Sequence, residues 1–284
     1  MPKIGIVTDS TNCLPPDIIQ DFGIRVIPVG MVIDGKVYRD LVDIDMAGFH
    51  RLVKGIEDQP STAAGNPADF LQAFKELAES VDHILCILVS KALTATQDSA
   101  YLAKRMLRRE RPEVRVEIVD SKTSAGALGF VVLEAARTAR RGGSFEEVMA
   151  AAREMILRVI YLASLESLQY LINIGRAPKT TSLGEALNVK PIIGFVDDTG
   201  LVEVVSRVRG KKKALDTMVK LIGRYVETDR ELHLMVHYVD GRGEAEELEA
   251  MVTSRYGCTE VYVTPYTPVM VSAVGPMVGL SVYS

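Results

Sequence analysis

Lys3-Ile4-Gly5-Ile6-Val7-Thr8-Asp9-Ser10-Thr11 is the stretch whose reading decides the fold. An apolar run of strand length ends in a cluster of hydroxyl and carboxyl side chains, and residues 15–22 then carry a helical pattern that Gly23 stops. The same alternation continues outward. Residues 25–29, 83–89 and 114–119 read as buried strands, and 45–53, 67–79, 94–109, 125–141 and 145–159 read as helices. Strands alternating with helices of these lengths predict a largely parallel sheet covered on both faces. One interruption is local: Met31-Val32-Ile33, Asp34-Gly35 and Val37-Tyr38 read as a hairpin, because Asp-Gly supplies the positive φ angles of a two-residue turn.

Past residue 160 the pattern changes. Residues 160–163, 189–196, 201–208, 232–238, 260–263 and 278–283 read as strands. Helices are expected over 166–173, 212–226 and 244–256. This half is a mixed α/β lobe, so the chain is read as two lobes, 1–160 and 161–284. Its 284 residues, 48% of them apolar, suffice for two buried cores. A net charge of −4 carries no basic excess for a nucleic-acid face, and the basic run 207–213 reads as a solvated helix start. Cys13, Cys86 and Cys258 form no CxxC pair, which argues against a disulfide framework or structural zinc and fits a reducing cytosol. Neither a signal-peptide pattern nor an apolar run of membrane-spanning length is visible, so a cytoplasmic protein without a transmembrane segment is expected.

Chemistry in a parallel α/β sheet gathers at the carboxyl ends of the strands, where helix N-termini point. Hydroxyls crowd there: Thr8-Asp9-Ser10-Thr11, Ser90 to Thr94, Ser121 to Ser124, and the loop Ser61-Thr62 ahead of a helix. Each set also reads as ordinary capping. Together they describe a polar pocket suited to an anion without selecting which one. Catalytic patterns are thin. No GxGxxG follows the first strand, and no phosphate-binding GxxxxGK[ST], GxSxG elbow or HExxH is found. His233 and His237 share a strand face and do not converge as helical i,i+4 ligands would, so no metal is expected. Asp9, Asp40, Asp43 and Asp120 are an acid set that spacing does not distinguish from caps and turns.

The order of short segments along the chain resembles the DegV family. Thr8-Asp9-Ser10-Thr11 with Leu14-Pro15 looks like its opening signature. Tyr38-Arg39-Asp40 with Val42-Asp43-Ile44 and Pro60-Ser61-Thr62 with Pro67-Ala68-Asp69-Phe70 look like its second and third segments. Val119-Asp120-Ser121-Lys122, Gly175-Arg176, Lys190-Pro191-Ile192, Asp197-Asp198 through Gly200, and Arg209-Gly210-Lys211-Lys212-Lys213 continue the match over nearly the whole chain. The resemblance implies a two-lobed α/β fold that binds one long-chain fatty acid. The carboxylate would lie between hydroxyls near the lobe junction and the tail in an apolar tunnel. It also implies no cofactor, and a separate ATP-binding fatty-acid kinase subunit as partner. By position, the expected ligand residues are Thr62 and Thr94, with Ser61 and Ser90 beside them. Arg209 is the basic residue expected near the head group or the partner surface. Residues 162–174 and 183–195 are candidate tunnel walls.

Departures from the family pattern are local. Lys91 stands where a second serine is usual, Ala92 and Ala95 where glycines are, and Ala63-Ala64 where Ser-Gln is. Ala273-Val274-Gly275-Pro276-Met277 lacks the histidine of the kinase-competent subset, which bears on the kinase role more than on lipid binding. Burying roughly fourteen methylenes at about 0.8 kcal/mol each is worth on the order of 11 kcal/mol, against an association cost of about 4 kcal/mol or more. The tail would then supply most of the affinity and the hydroxyls the orientation. The expected protein is a non-enzymatic carrier. The alternatives are a hydrolase or phosphotransferase working at the Ser/Thr-rich edge through Asp9 and Ser10, and a lipid-sensing adaptor that has lost its kinase partner.

Overall fold

The computed structural model describes residues 3–56, 58–176 and 188–284. Its first half runs β1 (Ile4–Asp9), α1 (Pro16–Asp21), β2 (Arg25–Ile27), β3 (Gly30–Ile33), β4 (Lys36–Arg39), α2 (Met46–Val53), β5 (Ser61–Ala63), α3 (Pro67–Leu77), β6 (His83–Leu88), α4 (Thr96–Glu110), β7 (Arg115–Asp120), α5 (Ala125–Arg140) and α6 (Phe145–Arg158). Strands β2-β1-β6-β7 form one wholly parallel sheet. All but the first residue of β6 are buried, as its continuous apolar run requires of a sheet covered on both sides. The hairpin is present, with Asp34 at φ 50° and Gly35 at φ 72°, and β5 adds to its other edge to make an antiparallel trio β4-β3-β5. α6 starts on a reciprocal cap: Ser144 Oγ accepts from Glu147 N–H (3.3 Å), and Glu147 Oε2 accepts from Ser144 N–H (2.7 Å).

The second half runs β8 (Ile160–Leu165), α7 (Gln169–Asn173), β9 (Val189–Phe195), β10 (Glu203–Arg209), α8 (Lys211–Tyr225), β11 (Leu232–Tyr238), α9 (Gly243–Arg255), β12 (Cys258–Pro265), α10 (Pro268–Val274) and β13 (Met277–Tyr283). Its six-stranded sheet, ordered β10-β9-β8-β13-β11-β12, is antiparallel except for the β11–β12 pair. Parallel and mixed sheets together give the expected α/β class. Two elements differ from the sequence reading: β5, read as loop, and α10, not read at all.

α5 lies between the sheets, touching β1 and β6 on one side and β8, β11 and β13 on the other. The largest apolar core follows it, joining Ile6, Leu85 and Ile87 to Tyr161, Met235 and Tyr283, while smaller cores fill the outer side of each sheet. Gly126, at the start of α5, donates its N–H to His237 Nε2 (3.2 Å) on β11 and so ties the helix to the second sheet. No described helix is long and apolar enough to cross a membrane.

Candidate functional site

The carboxyl edge of the parallel sheet faces the six-stranded sheet across an apolar cavity. Val29, Val89 and Leu93 come from the first half, Leu171, Ile193 and Phe195 from the second, and α10 closes one side with Val269, Met270, Ala273 and Val274. The cavity encloses about 630 Å³, counting its mouth. Polar groups in the wall are few: Thr11, Thr62, Thr94, Ser124, Tyr161 and Arg176. A mostly apolar cavity with a small number of placed polar groups is the ordinary form of a small-molecule site.

Three of those groups cluster. Thr62 stands on β5 opposite Met31, so the strand pairing with β3 fixes its position. Thr94 lies just ahead of α4, where its Oγ accepts the Thr96 N–H (3.3 Å) and shares a hydrogen bond with Thr96 Oγ (3.0 Å), which in turn accepts from Gly65 N–H (3.2 Å). Arg176, three residues beyond α7, donates from Nη2 to Thr62 Oγ (2.9 Å) and from Nε to the Leu93 carbonyl (3.0 Å). Burial lowers the Arg176 pKa from its ordinary value. The guanidinium remains protonated. It is a half-buried cation facing an apolar space, with no carboxylate among the described residues paired to it. A buried cation of this kind calls for an anion. Thr62 accepts from Arg176, which leaves its own O–H free to donate.

The remaining sequence candidates lie elsewhere. Ser61 is exposed and outside the cavity wall. Ser90 is fully buried, but its hydroxyl donates to the Gly200 carbonyl (2.7 Å) and holds the β9–β10 connection. Arg209, at the end of β10, is exposed and does not border the cavity, and the basic group in the wall is Arg176 instead. The Lys91 side chain is exposed as well. Of the candidate tunnel walls, Leu171, Ile193 and Phe195 border the cavity, Leu162 faces the outer core, and 183–187 lie outside the described residues. The sequence reading placed Arg176 only within a family segment and passed over Tyr161 and α10. A lone arginine after the short helix and Gly175 is the one signal for Arg176.

The acids serve the backbone. Asp9 is buried and accepts from Thr11 N–H (3.0 Å), Thr11 Oγ–H (2.6 Å) and Val89 N–H (2.7 Å), with burial outweighing these bonds to raise its pKa. Asp43 is clamped by Arg39 through Nε (3.1 Å) and Nη2 (3.0 Å), which lowers its pKa, and Asp120 accepts from the Lys91 and Lys122 N–H groups (both 3.1 Å). Asp40, 1% exposed, accepts from Val269 N–H (3.1 Å) at the start of α10, and burial raises its pKa to about 7. None of the four histidines borders the cavity. His237 is buried and pulled down to about 3, so it is neutral. Its Nε2 accepts from Gly126, which puts the proton on Nδ1 facing Thr264 Oγ (2.9 Å). No group of acids, histidines and cysteines among the described residues is arranged to hold a metal ion.

Comparison with known proteins agrees with this architecture. The family model described as "Uncharacterised protein, DegV family" matches residues 3–284. A DegV domain-containing protein of Caldanaerobacter subterraneus is 34% identical over 260 residues, covering 91% of this chain and 90% of that protein. A DegV family protein from Thermus thermophilus, whose structure is described as showing fatty acid binding, superposes with a TM-score of 0.90 at 30% identity, with both chains covered in full. DegV from Bacillus subtilis, described as a fatty acid binding protein, gives a TM-score of 0.87 at 25% identity over 100% of this chain and 99% of that one. On the match along its whole length and the shared two-sheet architecture, this chain belongs to the DegV family.

Proposed function

We propose that this protein binds a single long-chain fatty acid, with the carboxylate held by Arg176, Thr62 and Thr94 and the tail in the apolar cavity between the sheets. The observation that carries the reading is Arg176, a half-buried guanidinium in the wall of a mostly apolar cavity that meets a hydroxyl and a carbonyl but no acid among the described residues. Charge-assisted bonds to a carboxylate would satisfy it, and they are strongest where water is excluded. The fatty-acid-binding relatives from Thermus thermophilus and Bacillus subtilis support the same ligand class.

The protein acts as a carrier in this reading. A hydrolase at the same edge needs a general base, and the histidines stand away from the cavity while Asp9 is occupied by amides and a hydroxyl. We propose further that a separate ATP-binding kinase subunit takes the presented carboxylate, and that both work in the cytoplasm, where unpaired Cys13, Cys86 and Cys258 are at home.

Titration with hexadecanoic acid tests the head-group assignment. Thr62→Val and Thr94→Val each remove a hydroxyl at nearly constant volume and are expected to weaken binding by about 10- to 150-fold, the worth of one hydrogen bond to a charged group. Full affinity in both folded variants would refute it.

A further inference from the structure

We infer that Gln59 is a positioning residue for the carboxylate site, setting Arg176 against Thr62 without touching the ligand; the inference rests on the fatty-acid reading above. Two chain segments meet there twice. Arg176 Nη2 donates to Thr62 Oγ (2.9 Å), and Asn173 Nδ2 donates to Gln59 Oε1 (2.9 Å). On both segments the second contact lies three residues before the first, so the two pairs form successive rungs between the same stretches of chain. The Gln59 amide in turn donates to the carbonyls of Tyr170 on α7 and Ser272 on α10 (both 3.3 Å). Neither Gln59 nor Asn173 borders the cavity. They face a separate cleft with Val271 and Ser272 of α10, whereas Val269, Met270, Ala273 and Val274 of that helix face the cavity.

Gln59 acts on the site through Arg176. α7 closes in a Schellman turn: Gly175, at φ 72°, donates to the Ile172 carbonyl (3.1 Å), and the Arg176 N–H donates to the Leu171 carbonyl (2.8 Å). The main chain of Arg176 therefore moves with α7. Thr62 is fixed separately, by the pairing of β5 with β3, and Pro60 stiffens the step from Gln59 to that strand. α7 spans only Gln169–Asn173, too short to hold its place by its own helical bonds. Among the described residues, the hydrogen bonds that join it and Arg176 to the segment 59–63 are those of Gln59 and the Arg176–Thr62 bond. Asn173 is oriented for this tie, since its Oδ1 accepts from Gln169 Nε2 (2.6 Å) and leaves Nδ2 for Gln59. The Ser272 carbonyl lies in the last turn of α10, where carbonyls lack intrahelical donors, so Gln59 supplies one and brings the wall helix into the same tie. Gly275 packs the end of α10 against α7, for an added Cβ there would stand 2.5 Å from the Tyr170 ring.

Titration of hexadecanoic acid and hexadecanol into Gln59→Leu, with and without Arg176→Gln, tests this. Leucine keeps the bulk of the side chain and removes every hydrogen bond of the amide. Acid affinity should fall about fivefold, the worth of one neutral hydrogen bond. Alcohol affinity should fall by less than about twofold, because apolar packing and the bond from Val269 N–H to Asp40 still hold α10. In the Arg176→Gln background the same substitution should cost the acid less than about twofold, since the group it positions is gone. A role confined to stability would lower both ligands alike in both backgrounds. Asn173→Ala, at an exposed position, carries the same expectations if Gln59→Leu does not fold. An acid affinity unchanged within about twofold, an equal loss for acid and alcohol, or a loss of about fivefold that persists without Arg176 would each overturn the positioning role and leave the fatty-acid reading intact. No uptake of hexadecanoic acid by the unaltered protein would overturn both.

Discussion

Arg176→Gln separates the charge in the cavity wall from everything else in the site. The guanidinium makes two hydrogen bonds to the protein, to Thr62 Oγ and the Leu93 carbonyl, and has no acidic partner among the described residues. Glutamine keeps polarity and some length while removing the charge. A hydrogen bond to a charged group is worth about 1.5–3 kcal/mol, so binding of hexadecanoic acid should weaken by about 10- to 150-fold. Hexadecanol, with the same tail and a neutral head, should lose no more than about fivefold, the worth of one neutral bond. The tail contributes equally to both ligands, so their ratio isolates the head group. Isothermal titration of both ligands against both proteins, above the pKa of the acid, gives the four affinities. An equal loss for acid and alcohol would show that Arg176 shapes the wall without pairing with a carboxylate. An acid affinity unchanged within about twofold would remove the residue from the site.

Three further outcomes follow from the same geometry. Ser90→Ala should cost about 1–2 kcal/mol in chemical denaturation, because the buried Gly200 carbonyl loses its donor, with acid affinity nearly unchanged; a large affinity loss would return Ser90 to the head-group site. Arg209→Ala should leave acid affinity unchanged in the same titration, since the side chain stands outside the cavity wall. Asp40 has a pKa raised in the folded chain from 3.8 to about 7, so its contribution to stability is complete below pH 4 and is lost as pH rises through about 7, by up to about 4 kcal/mol. Asp40→Asn should therefore gain on the unaltered protein in urea midpoint between pH 4 and pH 8, and parallel curves across that range would contradict it.

Most of the framework was legible because its signals are local. Alternating strands and helices and the Asp34-Gly35 turn each act within a few residues of sequence. β5 was missed because Ser61-Thr62-Ala63 carries no strand signature, and only pairing with β3 makes it one. α10 was missed for a different reason. Pro268–Val274 is buried on nearly every side, so it has no polar face to reveal a helical period, and its valines favour strands in isolation. Both elements wall the cavity, so the site was harder to read than the fold. Thr62 and Thr94 were singled out through family resemblance and do border the cavity. Ser90 and Arg209 carry the right chemical groups, but hydroxyl and guanidinium direction depends on contacts across more than a hundred residues of sequence, such as that between Ser90 and Gly200. Arg176 becomes conspicuous only when folding brings it against Thr62 with no acid among the described residues beside it.

Native mass spectrometry of the freshly purified chain, followed by denaturing extraction and identification of any released lipid, tests the central claim most directly. The account predicts one bound mass per chain, released on denaturation as a long-chain fatty acid. A chain that carries no such mass and takes up none from added hexadecanoic acid would contradict it.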